Sequence, residues 1–329
     1  MTRLLFLRRS EIAELLTLEL TIEAVEAAFR AHAEGSARVF PVVREELPSH
    51  KAVYGVKSGY MGGESPVLGL KVAGFWVANR GIGLPAHQAL VVLTDADSGV
   101  PTAIMDANYI TMIRTSAVGA IAARLLARPD ARVAAIVGGG VQGEGQARAL
   151  LHVLPSLRLL VVYDAIPEAR DAFAEALSHS RARVEIANSV DQAVFGADIV
   201  VTATPSRQPL VKDAWIGPGV HLSAIGADTR GKQELETSLL RRATLVVDDF
   251  SQARTLGETQ HAVDQGWLND DNRPAELGEL LVGRRAGRTS ADEITIFDAT
   301  GLALQDLAAA DLAYRLAQEQ GRGQWLELD

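Results

Sequence analysis

The sequence predicts an α/β protein in two parts, a doubly wound parallel sheet with helices on its faces and a smaller α+β unit. Three observations predict it. At 329 residues the chain exceeds what one hydrophobic core organises and suits two domains. From Val133 onward, apolar runs of strand length alternate with helical stretches, the rhythm of βαβ units. Between Ala52 and Met105 the rhythm is strand after strand, separated by turns.

Taken in order, Thr21–Glu34 carries Ala24, Val25, Ala28 and Phe29 at helical spacing, with Gly35 as a stop. Ala52–Lys57, Leu68–Ala73 and Ala89–Leu93 read as strands, and the turn Asp95-Ala96-Asp97-Ser98-Gly99 leads to another at Thr102–Met105. A helix follows from Tyr109 to Leu126. Val133–Val137 is a continuous apolar run, as a strand buried on both faces requires. Leu159–Tyr163, Val184–Ala187, Ile199–Ala203, Leu222–Ile225 and Leu245–Val247 continue the series, with a helix starting at Pro167. A last helix, Leu302–Gln320, lies beyond it and is expected to return to the first part. The expected division is residues 1–115 plus 303–329 for a substrate-binding and dimerisation domain, and 116–302 for the doubly wound one.

Composition narrows the chemistry. Hydrophobic residues at 48% and charged residues at 22% place the chain among globular proteins rather than disordered ones. No cysteine is present, which removes disulfides, thiolate metal sites and Cys nucleophiles together. A net charge of −9 repels phosphate backbones and anionic membranes, so neither nucleic acid nor membrane is an expected partner. The longest uncharged runs, Gly81–Thr94 and Ala214–Ala227, are too short to span a bilayer, and the N-terminus meets charge too soon for a secretory leader. A cytoplasmic location is the expectation. Neither a His-x-x-x-His nor a clustered carboxylate pattern suggests a metal, and Gly-x-Ser-x-Gly and the P-loop motif are absent.

Gly138, Gly140 and Gly143 form G-x-G-x-x-G between the strand Val133–Val137 and a helix. In that position one glycine makes the tight turn, one lets backbone approach a pyrophosphate, and one allows close helix packing. Asp164 ends the next strand about 20 residues on, where a carboxylate accepts from ribose hydroxyls and repels a 2′-phosphate. The middle of the chain therefore reads as a Rossmann-type dinucleotide domain that prefers NAD. The plainer alternative is a tight βα turn with Asp164 as a helix cap.

In the first part, alternation puts Gly55, Lys57 and Gly59 on one face of a strand and Gly69, Lys71 and Ala73 on one face of the next. Neighbours almost without side chains leave room for a ligand beside each lysine, while Leu68, Leu70 and Val72 are expected to fill the opposite face as core. The alternative is two solvated lysines. Arg44 and Arg114 each carry a fork suited to a carboxylate, or to a surface ion pair. His87 stands before an apolar strand as a structural residue or a ligand. Asp228 follows the carboxyl end of a doubly wound strand, where open α/β sheets hold ligands.

These pieces together resemble the ornithine cyclodeaminase/mu-crystallin family along nearly the whole chain. They are Pro41-Val42-Val43-Arg44, Leu70-Lys71, Ile113-Arg114-Thr115, Gly138-Gly139-Gly140-Val141-Gln142, Tyr163-Asp164, Ile225-Gly226-Ala227-Asp228 and Phe297 through Asp306. The resemblance implies a homodimer that interconverts amino and imino acids with a nicotinamide cofactor. It makes Arg44, Lys71 and Arg114 the carboxylate-binding cluster, with Lys71 and Asp228 as the catalytic pair and Asp228 handling the amine and its proton. Thr115 and Gln142 join the three glycines and Asp164 as cofactor-binding residues. Cyclodeaminases of the family carry a carboxylate on the strand before Lys71 to hold a distal ammonium. This chain has Lys57 nearby instead, which suits a second carboxylate, and Gly55-Val56-Lys57-Ser58-Gly59 and His87-Gln88 look most like the iminosuccinate reductase branch. A lysine there also occurs in the ectoine-utilisation branch. The expected function is NAD-dependent reduction of a small, dicarboxylic imino acid with Lys57 and His87 as further substrate contacts. The alternatives are ornithine cyclodeamination and a non-catalytic, mu-crystallin-like binding protein.

Overall fold

The computed structural model describes residues 3–328. The chain divides into two compact units, Met1–Ala117 with Leu302–Asp329, and Val118–Gly301.

In the first unit, β1 (Arg3–Leu7), β2 (Ala37–Val39), β3 (Val43–Leu47), β4 (Ala52–Met61), β5 (Val67–Trp76), β6 (His87–Thr94) and β7 (Pro101–Asp106) form one sheet with a C-terminal strand, Gln324–Glu327. Its spatial order is the C-terminal strand, β1, β7, β6, β5, β4, β2, with β3 also paired to β4. Only β1 and β7 run parallel among these neighbours. Helices α1 (Arg9–Leu15), α2 (Leu18–Ala33) and the start of α3 (Asn108–Leu126) belong to this unit, as does the C-terminal helix, Ala303–Glu319. Helix α2 begins three residues before the apolar periodicity does because Thr17 caps it, accepting from the Leu20 N–H at 3.3 Å. Gly35, at φ +82°, ends it in the left-handed region that favours glycine.

The buried face of this sheet is the reverse of the expected one. Gly55, Lys57, Gly59, Gly69 and Lys71 are buried, whereas Leu68, Leu70 and Val72 are only half-buried. The C-terminal helix covers the glycine and lysine face. A Cβ on Gly59 would stand 3.1 Å from Leu304 Cδ2, and one on Gly69 would stand 2.9 Å from Leu307 Cδ2. At Gly55 the space is taken by the Arg44 arm, whose Cδ would lie 3.2 Å from a Cβ there. At these three positions the small residues let a helix and an arginine lie close to the sheet. Leu304 and Leu307 are each 1% exposed, and burying such a side chain stabilises by roughly 1.5–3 kcal/mol.

The second unit is a parallel sheet. Strands β8 (Val133–Val137), β9 (Leu159–Tyr163), β10 (Arg183–Ile186), β11 (Ile199–Thr202), β13 (His221–Ala224), β15 (Thr244–Val247), β16 (Ala275–Glu276) and β17 (Thr295–Asp298) lie in the order β10, β9, β8, β11, β13, β17, β15, β16. A separate pair joins β12 (Arg207–Val211) and β14 (Gln233–Leu235). Chain order reverses between β8 and β11, the switch point at which doubly wound sheets open a crevice beyond their carboxyl ends. Val137, Val200, Leu222 and Ile296 are among the side chains that fill this unit's core.

Candidate active site

The buried charged side chains of the first unit, among the described residues, are Lys57, Lys71, Arg114 and Asp306. They form one cluster. Lys57 and Lys71 stand directly opposite each other across β4 and β5, so two ammonium groups share one face of adjacent strands. Arg114 comes from α3 and Asp306 from the first turn of the C-terminal helix. Asp306 Oδ1 lies 2.8 Å from Lys71 Nζ and 2.9 Å from Arg114 Nε. Arg114 Nη1 donates to Gln305 Oε1 at 2.6 Å, and Lys71 Nζ also donates to Thr111 Oγ1 at 3.3 Å. The alternatives of a solvated Lys71 and a surface-paired Arg114 are therefore set aside.

Electrostatics follow from this crowding. Burial lowers the Lys71 pKa to about 8; Asp306 opposes that shift, while Arg114 and Arg44 add to it. Burial by itself would raise Asp306, but the charges of Arg114 and Lys71 outweigh it and hold the carboxyl below its usual value. Three buried cations against one buried carboxylate leave an excess of positive charge, with half-buried Arg44 beside it. A carboxylate ligand would neutralise that excess through charge-assisted hydrogen bonds. His87 is placed elsewhere: Nδ1 lies 2.9 Å from Asn108 Oδ1, and its register on β6 is four residues from Val91, the neighbour of Lys71, or about 13 Å of strand.

In the second unit, Gly138 at φ +109° makes the turn after β8, where a Cβ would stand 2.6 Å from the Ala203 carbonyl oxygen. Gly140 is the N-cap of α4 (Val141–Val153); it supplies no side-chain cap, and nothing lies within 4 Å of the position its Cβ would occupy. The first N–H groups of α4 are thus left for an anion. Gly143 packs against the Gly138 carbonyl too closely for any side chain. Asp164 accepts from Gly139 N at 2.8 Å and from Ile166 N at 2.9 Å, which ties the Gly-rich turn to the end of β9. Gln142 Oε1 is buried and has no hydrogen-bond partner among the described residues. This cradle fits a dinucleotide, with the helix N-terminus for the pyrophosphate and Asp164 for ribose hydroxyls. Thr115, in the first unit, donates to the Thr111 carbonyl at 2.6 Å.

Asp228 is 38% exposed and paired with Lys232, Oδ1 to Nζ at 2.6 Å; Thr229 Oγ1 also donates to it at 3.1 Å. Its loop is held by Glu234, which sequence reasoning missed. Glu234 is wholly buried and accepts from Gly226 N at 2.8 Å, Thr202 Oγ1 at 2.9 Å, and Thr204 N and Oγ1 at 2.6 and 2.7 Å. One carboxyl therefore ties the ends of β11 and β13 together. Asp306 and Gln305 were also missed as site residues, although both lie within the segment that carries the family resemblance. Among the described residues, no group of three or more His, Cys, Asp or Glu could hold a metal ion, and no helix is long and apolar enough to cross a membrane.

Comparison with known proteins places these features in context. The chain matches the ornithine cyclodeaminase/mu-crystallin family over residues 3–321. It is 39% identical over 323 residues to the alanine dehydrogenase of Archaeoglobus fulgidus, covering 97% of each chain. It is 37% identical over 325 residues to the iminosuccinate reductase of Paracoccus denitrificans, covering 99% of this chain and 100% of that one. The solved structure of that reductase with NAD+ superposes with a TM-score of 0.90 over 99% of this chain and 100% of that one, at 36% identity. An archaeal alanine dehydrogenase dimer with bound NAD superposes with a TM-score of 0.93 at 36% identity, again over 99% and 100%.

Proposed function

The chain belongs to the ornithine cyclodeaminase/mu-crystallin family, and from that premise we propose that it is an NAD-dependent oxidoreductase that reduces a small dicarboxylic imino acid, iminosuccinate, to the amino acid. The observation that carries the substrate reading is the buried pair Lys57 and Lys71 with Arg114 beside it and Asp306 as the buried counter-charge. A monocarboxylate needs one cationic clamp; a second buried lysine beside it has a role when the substrate carries a second carboxylate. A cation at that place also opposes the distal ammonium of ornithine, which supports this reading over cyclodeamination.

When bound, the nicotinamide supplies the hydride that the imine carbon receives. The chain supplies the rest. Lys71, Arg114 and Arg44 hold the α-carboxylate and so fix the carbon's orientation, a positioning effect that accounts for much of the rate in such reactions. Lys57 holds the second carboxylate. Asp228, paired with Lys232, stabilises the iminium and exchanges the amine proton. Asp164 favours NAD over its 2′-phosphorylated form. The half-buried apolar face of the first sheet, Leu68, Leu70, Val72 and Val92 with Leu90 at 48% exposed, is the surface through which two copies associate.

The test is a substrate panel. Purified protein is given NADH with oxaloacetate plus ammonia, with pyruvate plus ammonia, and with cyclic Δ1-imino acids, then NAD with ornithine. NADH loss with oxaloacetate plus ammonia well above the others is expected. Preference for pyruvate, or proline formed from ornithine, overturns the dicarboxylate reading; a monomer in analytical ultracentrifugation overturns the association.

A further inference from the structure

The carboxylate-holding cluster is built on a sheet that cannot hold it together alone. Lys57 and Lys71 are in register on neighbouring strands, and Arg114 and Arg44 approach the same face. Each buried ion costs several kcal/mol in lost hydration unless it is paired. The pairing arrives from the C-terminal helix, 235 residues along the chain from Lys71.

We propose that Asp306 is the positioning residue of the site, the buried carboxylate that locks Lys71 and Arg114 into one geometry and keeps Lys71 charged for substrate binding. The proposal rests on the reading of this cluster as the carboxylate clamp. Four observations support it. Asp306 is 0% exposed, and a single oxygen, Oδ1, meets both cations, so moving it displaces both. Its neighbour Gln305 accepts a hydrogen bond from Arg114 Nη1 at 2.6 Å, so two consecutive helix residues engage the same guanidinium, one by hydrogen bond and one by ion pair. The first turn of a helix suits a carboxylate electrostatically, which places the anion without a cation of its own on that helix turn. Oδ2 is buried and has no hydrogen-bond partner among the described residues, so the carboxylate is not a spare member of another network.

The groups facing Lys71 are Lys57 from β4, Arg44 from β3, Arg114 and Thr111 from α3, and Asp306 from the C-terminal helix. Of these, Asp306 raises the Lys71 pKa, while burial, Arg114 and Arg44 lower it to about 8. Removing an opposite charge in contact moves a pKa by about 1–3 units. Lys71 would then lose its proton below the pH at which the intact protein loses it.

The experiment compares the wild-type protein with Asp306→Asn, which keeps the shape and removes the charge. The Lys71 side chain is titrated by NMR in the substrate-free protein and assigned by its absence in Lys71→Arg. A Lys71 midpoint near 8 that falls by about 1–3 pH units in Asp306→Asn is expected. In the NADH assay the alkaline fall of kcat/KM should move down by the same amount, and Lys71→Arg should remove that fall in both backgrounds. An unmoved midpoint overturns the proposal. If Asp306→Asn does not fold, Gln305→Leu with Asp306 intact leaves the midpoint near 8 while raising KM; an unchanged KM there overturns the positioning role. A wild-type protein inactive on the whole panel but showing the NMR shift would sink the substrate reading and leave the Asp306 pairing standing.

Discussion

Replacing Lys57 with Ala separates the second-carboxylate site from the clamp. Lys57 is 7% exposed and lies opposite Lys71, so its removal does two things that can be sized. Two ammonium groups at cross-strand spacing, ~5.5 Å, repel by about 3 kcal/mol at an effective dielectric near 20, and the substitution relieves this. The lost aliphatic stem costs a comparable 2–3 kcal/mol, so thermal stability should stay within a few degrees of wild type. The bound dicarboxylate loses one charge-assisted hydrogen bond, about 1.5–3 kcal/mol, or roughly 10- to 150-fold in kcat/KM. NADH oxidation followed at 340 nm with oxaloacetate plus ammonia should show that loss, mainly in KM. The same assay with pyruvate plus ammonia should change by less than about threefold. Equal losses on both substrates would refute the assignment of Lys57 to a second carboxylate, and a rise in the dicarboxylate rate would reverse it.

Three further outcomes are expected. Gly138→Ala places a Cβ 2.6 Å from the Ala203 carbonyl at a φ of +109°, so NADH affinity by fluorescence titration should fall at least about tenfold with the first unit's fold intact; unchanged affinity would separate this turn from the cofactor. Asp164→Ser removes the charge that disfavours a 2′-phosphate and should move the NADH/NADPH preference toward NADPH by about tenfold or more; an unchanged ratio counts against Asp164 as the selector. Burial raises Asp248 to about 7 and Asp298 to about 6. Their folded-state pKa values exceed those of the unfolded chain, so the stability these two groups contribute is lost as pH rises from about 4 through 7. The melting temperature of wild type relative to Asp248→Asn should therefore fall across that window, by the equivalent of a contribution on the order of 4 kcal/mol; parallel curves would assign the dependence elsewhere.

The legible part of the fold was the part whose physics is local. Val133–Val137 and Leu159–Tyr163 were read residue for residue because strands covered on both faces are unbroken apolar runs. Strand β17 was missed, although it lies between β13 and β15, because Thr295 and Asp298 break the apolar pattern at both ends of a four-residue strand. The faces of β5 were separated correctly by their period of two, but hydrophobicity chose the wrong one as buried. The buried face carries Gly69 and Lys71 because a helix from the far end of the chain lies against it and brings the anion that a buried lysine needs. For the same reason Lys71 and Arg114 were visible as candidates while Asp306 was not. A cation at helix or strand spacing is local information, whereas the identity of its partner is a tertiary fact.

The covering of that sheet by the C-terminal helix also sets an order of assembly. A ribosome delivers Lys57, Lys71 and Arg114 long before Asp306, Leu304 and Leu307. Until those residues emerge, the glycine and lysine face stays in water, where ammonium groups are hydrated and repel one another only weakly. Residues 118–301 have their own core and can condense first. The first unit is then the last to close, and its closing step is the one that dehydrates its buried cations. A chain halted at Gly301 would carry a finished second unit and, in its first unit, a cluster that has its cations but neither its covering leucines nor its counter-ion.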